Sequence, residues 1–131
     1  MIKKLSHVGV AVTNIDETVA LLSKLFGFEV GETLEEPAAG FKSTMISSAG
    51  VTLELLQPVG PQGMVQRFIE KRGAGLHHIS IKVDDVVAEM KRLKALGVQF
   101  ASEEAAQIGD NKVAFIHPRS TNGLLIELTQ K

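Results

Sequence analysis

Residues 75–83 have the sequence Gly75-Leu76-His77-His78-Ile79-Ser80-Ile81-Lys82-Val83, which predicts a turn followed by a β-strand. Side chains alternate between the two faces of a strand. One face therefore carries the polar set His78, Ser80 and Lys82. The other carries the mainly apolar set His77, Ile79, Ile81 and Val83, which suits packing against a helix. Alternation thus selects His78 for chemistry and predicts that His77 lies among packed side chains.

The same pattern occurs earlier, where residues 5–12 predict a strand with His7 on the less apolar face. In each half a capping residue and an apolar helical stripe follow, and a glycine ends the helix. Each half then continues into strands that include a lone glutamate between apolar residues, Glu54 in Leu53-Glu54-Leu55 and Glu127 in Ile126-Glu127-Leu128. An internal repeat of this length governs the choice of fold.

The repeat predicts an α+β fold of two βαβββ modules related by pseudo-twofold symmetry, with curved mixed sheets around a metal-binding cleft. We expect one domain over residues 1–131, with the first module at about 5–57, a linker helix within 58–74 and the second module at about 75–131. The linker helix is predicted over 64–72. In the second module we expect strands that begin at Val98, Lys112 and Leu124, with a polar loop over 103–111.

The predicted symmetry brings His7, Glu54, His78 and Glu127 to the cleft. A carboxylate inside an apolar strand requires a partner. Two imidazoles and two carboxylates form a suitable octahedral set for a divalent ion, with positions left for water or substrate. Zinc, cobalt, nickel and manganese are all compatible with these ligands.

Composition excludes several other classes. The chain has 131 residues, a formal net charge of −1 and no cysteine. It therefore has no disulfide and no thiolate metal site, and nothing in its charge pattern suggests a surface for nucleic acid. No apolar run approaches the roughly 20 residues of a membrane span. We expect a soluble cytoplasmic protein.

The chain resembles the vicinal oxygen chelate (glyoxalase/bleomycin resistance/dioxygenase) superfamily, and its motifs are most similar to those of the methylmalonyl-CoA epimerase family. The resemblance rests on residues 5–12, 53–58, 68–79, 113–120 and 123–128, which include the paired histidines and the turn His117-Pro118-Arg119-Ser120. It implies that His7, Glu54, His78 and Glu127 bind a divalent ion, with cobalt expected from the family.

The resemblance also implies interconversion of (R)- and (S)-methylmalonyl-CoA by α-proton abstraction through a metal-stabilised enolate. We assign Glu127 as one base. The second base is open between Glu54, a metal-bound water and the Glu103-Glu104 loop, because Ser43 stands where some relatives have a glutamate. His117, Arg119 and Lys112 are candidates for binding the acyl-CoA thioester, and a homodimer is the family expectation.

Two alternatives stay open. One is another metal enzyme of this scaffold, either a glyoxalase I-type lactoylglutathione lyase or a ring-cleaving dioxygenase. A dioxygenase normally uses two histidines and one carboxylate, so the fourth ligand argues against it. The other alternative is a metal-free, drug-sequestering binding protein, which has no need of four ligands. Fold alone does not separate these functions.

Overall fold

The computed structural model describes residues 1–131, which form eight β-strands and three α-helices. The strands are β1 (Ile2–Ala11), β2 (Glu29–Glu36), β3 (Phe41–Ser48), β4 (Val51–Pro58), β5 (Gly75–Val83), β6 (Ala106–Ile108), β7 (Asn111–Ile116) and β8 (Ile126–Gln130). The helices are α1 (Ile15–Phe26), α2 (Met64–Arg72) and α3 (Val86–Ala95), and single 3₁₀ turns cover Pro37–Ala39 and Pro118–Thr121. No helix combines the length and the apolar character of a transmembrane span.

The chain divides into two compact units, one of residues 7–77 and the other of residues 1–6 and 78–131. In the first unit the strand order is β2-β3-β4-β1. The pairs β2–β3 and β3–β4 are antiparallel, while β1 and β4 run parallel. Helix α1 covers one face through a buried cluster that contains Ile15, Ile46 and Leu55. This unit therefore follows the predicted βαβββ order.

The second unit repeats the arrangement with the order β5-β8-β7-β6. Strands β5 and β8 are parallel, and β7 pairs antiparallel with both β8 and β6. Helix α3 packs through Val86 and Met90 against Val83 and Leu128. The α+β prediction of two βαβββ modules is thus confirmed in each unit.

Matching capping contacts fix where α1 and α3 begin. The side chains of Asn14 and Asp85 each accept a 3.0 Å hydrogen bond from the third helical backbone N–H. In addition, the Gln57 side chain accepts a 2.8 Å bond from the N–H of Ile15. Gln130 accepts the equivalent 2.8 Å bond in the second unit. Each glutamine therefore ties the end of a strand to the start of the helix.

Helix α2 has the predicted bounds and covers the other face of the first unit. Its buried Val65 packs with Ala11 and Leu56. By alternation Leu56 shares a strand face with Glu54, so α2 covers the same side of the sheet as that glutamate, further along β4.

Two local predictions in the second unit were wrong. Residues 98–100 form no strand and contribute only an isolated bridge between Phe100 and Ile116. The stretch predicted as a loop contains the short edge strand β6 instead. The reason is that three edge residues need only one partner strand, so they require no alternating apolar pattern.

The prediction for Ile79 was also wrong, since it is 37% exposed although it shares a strand face with the packed Val83. The cluster under α3 includes Ile81 and Val83 but not Ile79. The packing against α3 thus involves the later part of β5.

Candidate metal centre

In the first unit the parallel pairing of β1 with β4 brings the first two predicted ligands together. The register sets Gly9 opposite Glu54. His7 lies two residues earlier on the same face of β1, and its Nε2 is 3.4 Å from the Glu54 Oε1. His7 is only 6% exposed. The backbone register, rather than a flexible loop, therefore positions this imidazole and carboxylate.

The second unit uses the same register for the other histidine and glutamate. Ser80 lies opposite Glu127 in the parallel pair β5–β8. The Ser80 hydroxyl donates a 2.6 Å hydrogen bond to the Glu127 Oε1, and both residues are buried. The ring of His78, also buried, meets Phe115 edge to face at a centroid distance of 5.6 Å. This histidine thus has a fixed ring orientation.

Each unit brings one histidine and one glutamate of the predicted ligand set onto paired parallel strands. His7 and Glu54 lie in the first unit, with an imidazole nitrogen and a carboxylate oxygen 3.4 Å apart, and His78 and Glu127 lie on β5 and β8 of the second. Two imidazole nitrogens and a carboxylate oxygen are donors that zinc, cobalt, nickel and manganese all accept, so the chemistry of the donor set fits such an ion.

His77 has the packed environment predicted for it. It is buried, and its ring meets the Phe68 ring edge to face at 4.9 Å. The Arg72 guanidinium lies 5.9 Å from the centroid of the same Phe68 ring. His77 is therefore packed against α2, whereas the next residue, His78, points to the other face of β5 and contacts Phe115.

The predicted substrate-binding residues lie on β7 and the following turn. The His117 Nδ1 accepts the backbone N–H of Arg119, so His117 caps the 3₁₀ turn. The Arg119 side chain donates a 3.3 Å bond to Gln99. Lys112 lies on β7 and lines a cavity of about 490 Å³ with Glu103, Glu104 and residues of α3. It shares a strand face with Ala114, which packs under α3, and not with Phe115, which lies opposite Glu127.

Ser43, the residue that stands where some relatives have a glutamate, is buried on β3 opposite Leu56 of β4. The neighbouring Thr44 faces the other way and bonds to the Thr33 hydroxyl at 2.9 Å. The strand therefore offers a hydroxyl at this position and no carboxylate.

One strongly held carboxylate lies elsewhere, on α3. A hydrogen bond from the Met1 amino group and then the Arg92 guanidinium lower the pKa of Glu89 below its ordinary value of 4.5, against the opposing effect of burial. The distances to the amino group and to the Arg92 Nη2 are 2.7 and 2.9 Å. Glu89 therefore belongs to an ion-pair network that joins α3 to the start of β1.

Sequence reasoning assigned no role to Ser80, Gln57 or Gln130. A signal for the glutamines was present, because each follows its repeat glutamate by three residues in Glu54-Leu55-Leu56-Gln57 and Glu127-Leu128-Thr129-Gln130. Ser80 had a weaker signal, since it stands two residues after His78, where Gly9 stands after His7.

Comparison with known proteins gives consistent matches over the whole chain. Residues 6–115 match the Glyoxalase/Bleomycin resistance protein/Dioxygenase superfamily. The chain is 36% identical to the ethylmalonyl-CoA/methylmalonyl-CoA epimerase of Cereibacter sphaeroides, over 99% of both chains. It is 33% identical to the human mitochondrial methylmalonyl-CoA epimerase, over 97% of this chain and 73% of that protein.

Solved structures agree with these matches. The methylmalonyl-CoA epimerase of Mycobacterium tuberculosis superposes with a TM-score of 0.93 at 26% identity, over 98% of this chain and 88% of that one. A methylmalonyl-CoA epimerase in complex with methylmalonyl-CoA and ammonium superposes with a TM-score of 0.92 at 28% identity, over 100% of this chain and 96% of that one.

Proposed function

The chain belongs to the Glyoxalase/Bleomycin resistance protein/Dioxygenase superfamily, and from this premise we propose that it is a metal-dependent methylmalonyl-CoA epimerase. Relatives of matching length carry that name, and one solved relative holds methylmalonyl-CoA. The single observation that carries the proposal is the parallel strand register, which sets buried His7 3.4 Å from Glu54 in the first unit and recurs in the second, where His78 and Glu127 lie on paired strands.

We propose His7, Glu54, His78 and Glu127 as the metal ligands. Cobalt is the ion expected from the family, and the donor set equally accepts zinc, nickel or manganese. A bound divalent cation would act as a Lewis acid that stabilises the negative charge left on the substrate when its α-proton is removed.

The chain itself must move the proton. The α-carbon lies between a thioester and a carboxylate, and epimerisation requires proton removal on one face and return on the other. Glu127 is the proposed base on one face, because it is buried and held through one carboxylate oxygen. Glu54 and the Glu103-Glu104 loop are the chain's candidates for the opposite face, since Ser43 carries no carboxylate.

The acyl-CoA substrate also needs a place for its phosphates. We propose Lys112, Arg119 and His117 as contacts, since the first two are cations and all three lie on β7 or the turn that follows. We further propose that the protein is a cytoplasmic homodimer and that residues 1–131 of each chain form a single domain. Light scattering of the purified protein tests the dimer, and cell fractionation tests the location.

Proton NMR of racemic methylmalonyl-CoA in deuterium oxide tests the reaction directly. We expect the α-proton signal to disappear with protein and cobalt. Glu127→Gln should slow the exchange of the enantiomer whose α-proton faces Glu127 by about 10²–10⁴-fold, the usual contribution of a general base. The matched control Glu29→Gln changes an exposed carboxylate of β2 and should exchange at the wild-type rate.

Two results would contradict the proposal. Normal exchange by Glu127→Gln would remove Glu127 from the mechanism. Conversion of the methylglyoxal–glutathione adduct, with no exchange of methylmalonyl-CoA, would replace the epimerase by a glyoxalase I-type activity.

A further inference from the structure

The two repeats differ in the residue that lies opposite each glutamate on the paired strand. The register sets Gly9 opposite Glu54 in the first unit and Ser80 opposite Glu127 in the second. Glycine has no side chain to offer, whereas Ser80 donates a hydroxyl hydrogen bond of 2.6 Å to the Glu127 Oε1. Glu127 therefore receives from its neighbouring strand a bond that Glu54 cannot receive from the equivalent residue.

Burial makes this hydrogen bond a strong restraint. Ser80 is 0% exposed and Glu127 is 7% exposed, so water does not compete well for either group. A length of 2.6 Å lies in the range of charge-assisted O–H···O⁻ bonds, which are stronger than neutral ones. Both residues also lie in paired strands, which fixes the backbone that carries them.

We infer that Ser80 is a positioning residue for Glu127. Its hydroxyl holds Oε1 and thereby restricts the orientation of the carboxylate. The catalytic part of this inference rests on the proposed epimerase function, whereas the effect on metal binding does not. The two glutamates of the repeat are consequently unequal, because only Glu127 accepts a hydrogen bond from the residue directly opposite it on the paired strand.

Isothermal titration of Co²⁺ without substrate tests the metal-binding part. Ser80→Ala should weaken Co²⁺ affinity by about 10–100-fold, the usual effect of removing a group that holds a metal ligand. Ser80→Cys keeps a similar size with a weaker donor, so its affinity should fall between the two. Thr44→Val removes another buried hydroxyl, one bonded to Thr33 on the opposite strand face, and should bind Co²⁺ as the wild type does.

Hydrogen exchange in deuterium oxide tests the catalytic part. Starting from each enantiomer separately, we compare deuterium uptake into the remaining substrate with uptake into the epimerised product. Ser80→Ala should change this ratio by more than about threefold and in opposite directions for the two enantiomers, because both give the same enolate and Glu127 returns the proton on only one of its faces. A general loss of stability would lower both rates together and leave both ratios intact.

The outcomes separate the two proposals. If Ser80→Ala binds Co²⁺ with wild-type affinity and keeps both ratios, the positioning role is wrong even when the wild type is an active epimerase. If the wild type neither exchanges nor epimerises methylmalonyl-CoA, but Ser80→Ala weakens Co²⁺ binding, the epimerase proposal fails and the positioning role stands. If Ser80→Ala does not fold, Ser80→Cys is measured in its place. A wild-type Co²⁺ affinity and unchanged deuterium-uptake ratios in Ser80→Cys would overturn the inference.

Discussion

The contact between the 37–40 turn and the 59–63 segment gives a quantitative prediction for Gly40→Ala. Gly40 has a φ of 80°, and a Cβ there would lie 2.2 Å from the Gln62 carbonyl oxygen and 3.2 Å from the Gly63 Cα. Both neighbours are backbone atoms. The two segments must therefore separate by about 1 Å to restore van der Waals distance. This movement disrupts the 2.8 Å hydrogen bond from the Val59 N–H to the Gly40 carbonyl.

Gly27→Ala is the matched control, because Gly27 has a φ of 71° and open space around its Cα. The left-handed conformation costs about 1–2 kcal/mol for alanine at either position. Gly40→Ala additionally loses a hydrogen bond, about 1 kcal/mol, and the packing of two backbone segments. We expect a loss of about 1 kcal/mol in unfolding free energy for Gly27→Ala and about 3 kcal/mol or more for Gly40→Ala, after allowance for the stiffer unfolded chain.

Urea unfolding followed by circular dichroism measures both variants. Thermal unfolding gives a second measure. For a chain of this size 1 kcal/mol corresponds to about 3–4 °C in Tm, so Gly40→Ala should melt about 10 °C below the wild type. Equal losses for the two variants would refute the reasoning, since they would show that the close approach of the two segments carries no energy.

The other structural predictions concern helix starts and pH. Gln57→Ala and Gln130→Ala each remove the side-chain acceptor of a helix's first N–H, so each should lower the unfolding free energy by about 1 kcal/mol in urea titrations. The loss in the double variant should equal the sum of the two single losses. Because folding lowers the pKa of Glu89, its contribution is present above the unfolded pKa and is lost as pH falls through the folded pKa. Glu89→Gln should therefore be less stable than the wild type at pH 7 by about 1 kcal/mol, a modest value because Arg92 and Met1 are mostly exposed. This difference in unfolding free energy should vanish in acid, and a difference that stays constant with pH would contradict the reasoning.

Strong local signals in the sequence predicted most of the fold. Asn14 and Asp85 are good helix caps, and Gly27 and Gly73 suit helix ends, so the helices were predicted close to their final bounds. The repeat then predicted two βαβββ units. What failed was the part without a periodic signal: the segment at Val98 and the edge strand β6 depend on the backbone of β7, which no local pattern reveals.

The candidate site shows a similar division. Alternation along β1 and β5 selected His7 and His78, and the repeat selected Glu54 and Glu127. The structure places each histidine and its glutamate on paired parallel strands. The hydrogen bond from Ser80 to Glu127 was not predicted, because it depends on the register between β5 and β8. Register is a property of two strands far apart in sequence, so the side-chain pattern of one strand does not determine it.

The parallel pairs β1–β4 and β5–β8 also have a consequence for how the chain acquires its structure. Each joins segments separated by a helix and two further strands, so a long loop must close before these contacts form. Such non-local pairing slows folding relative to helical proteins of the same size. Each histidine–glutamate pair depends on one of these closures, so the proposed cation site should form late in refolding.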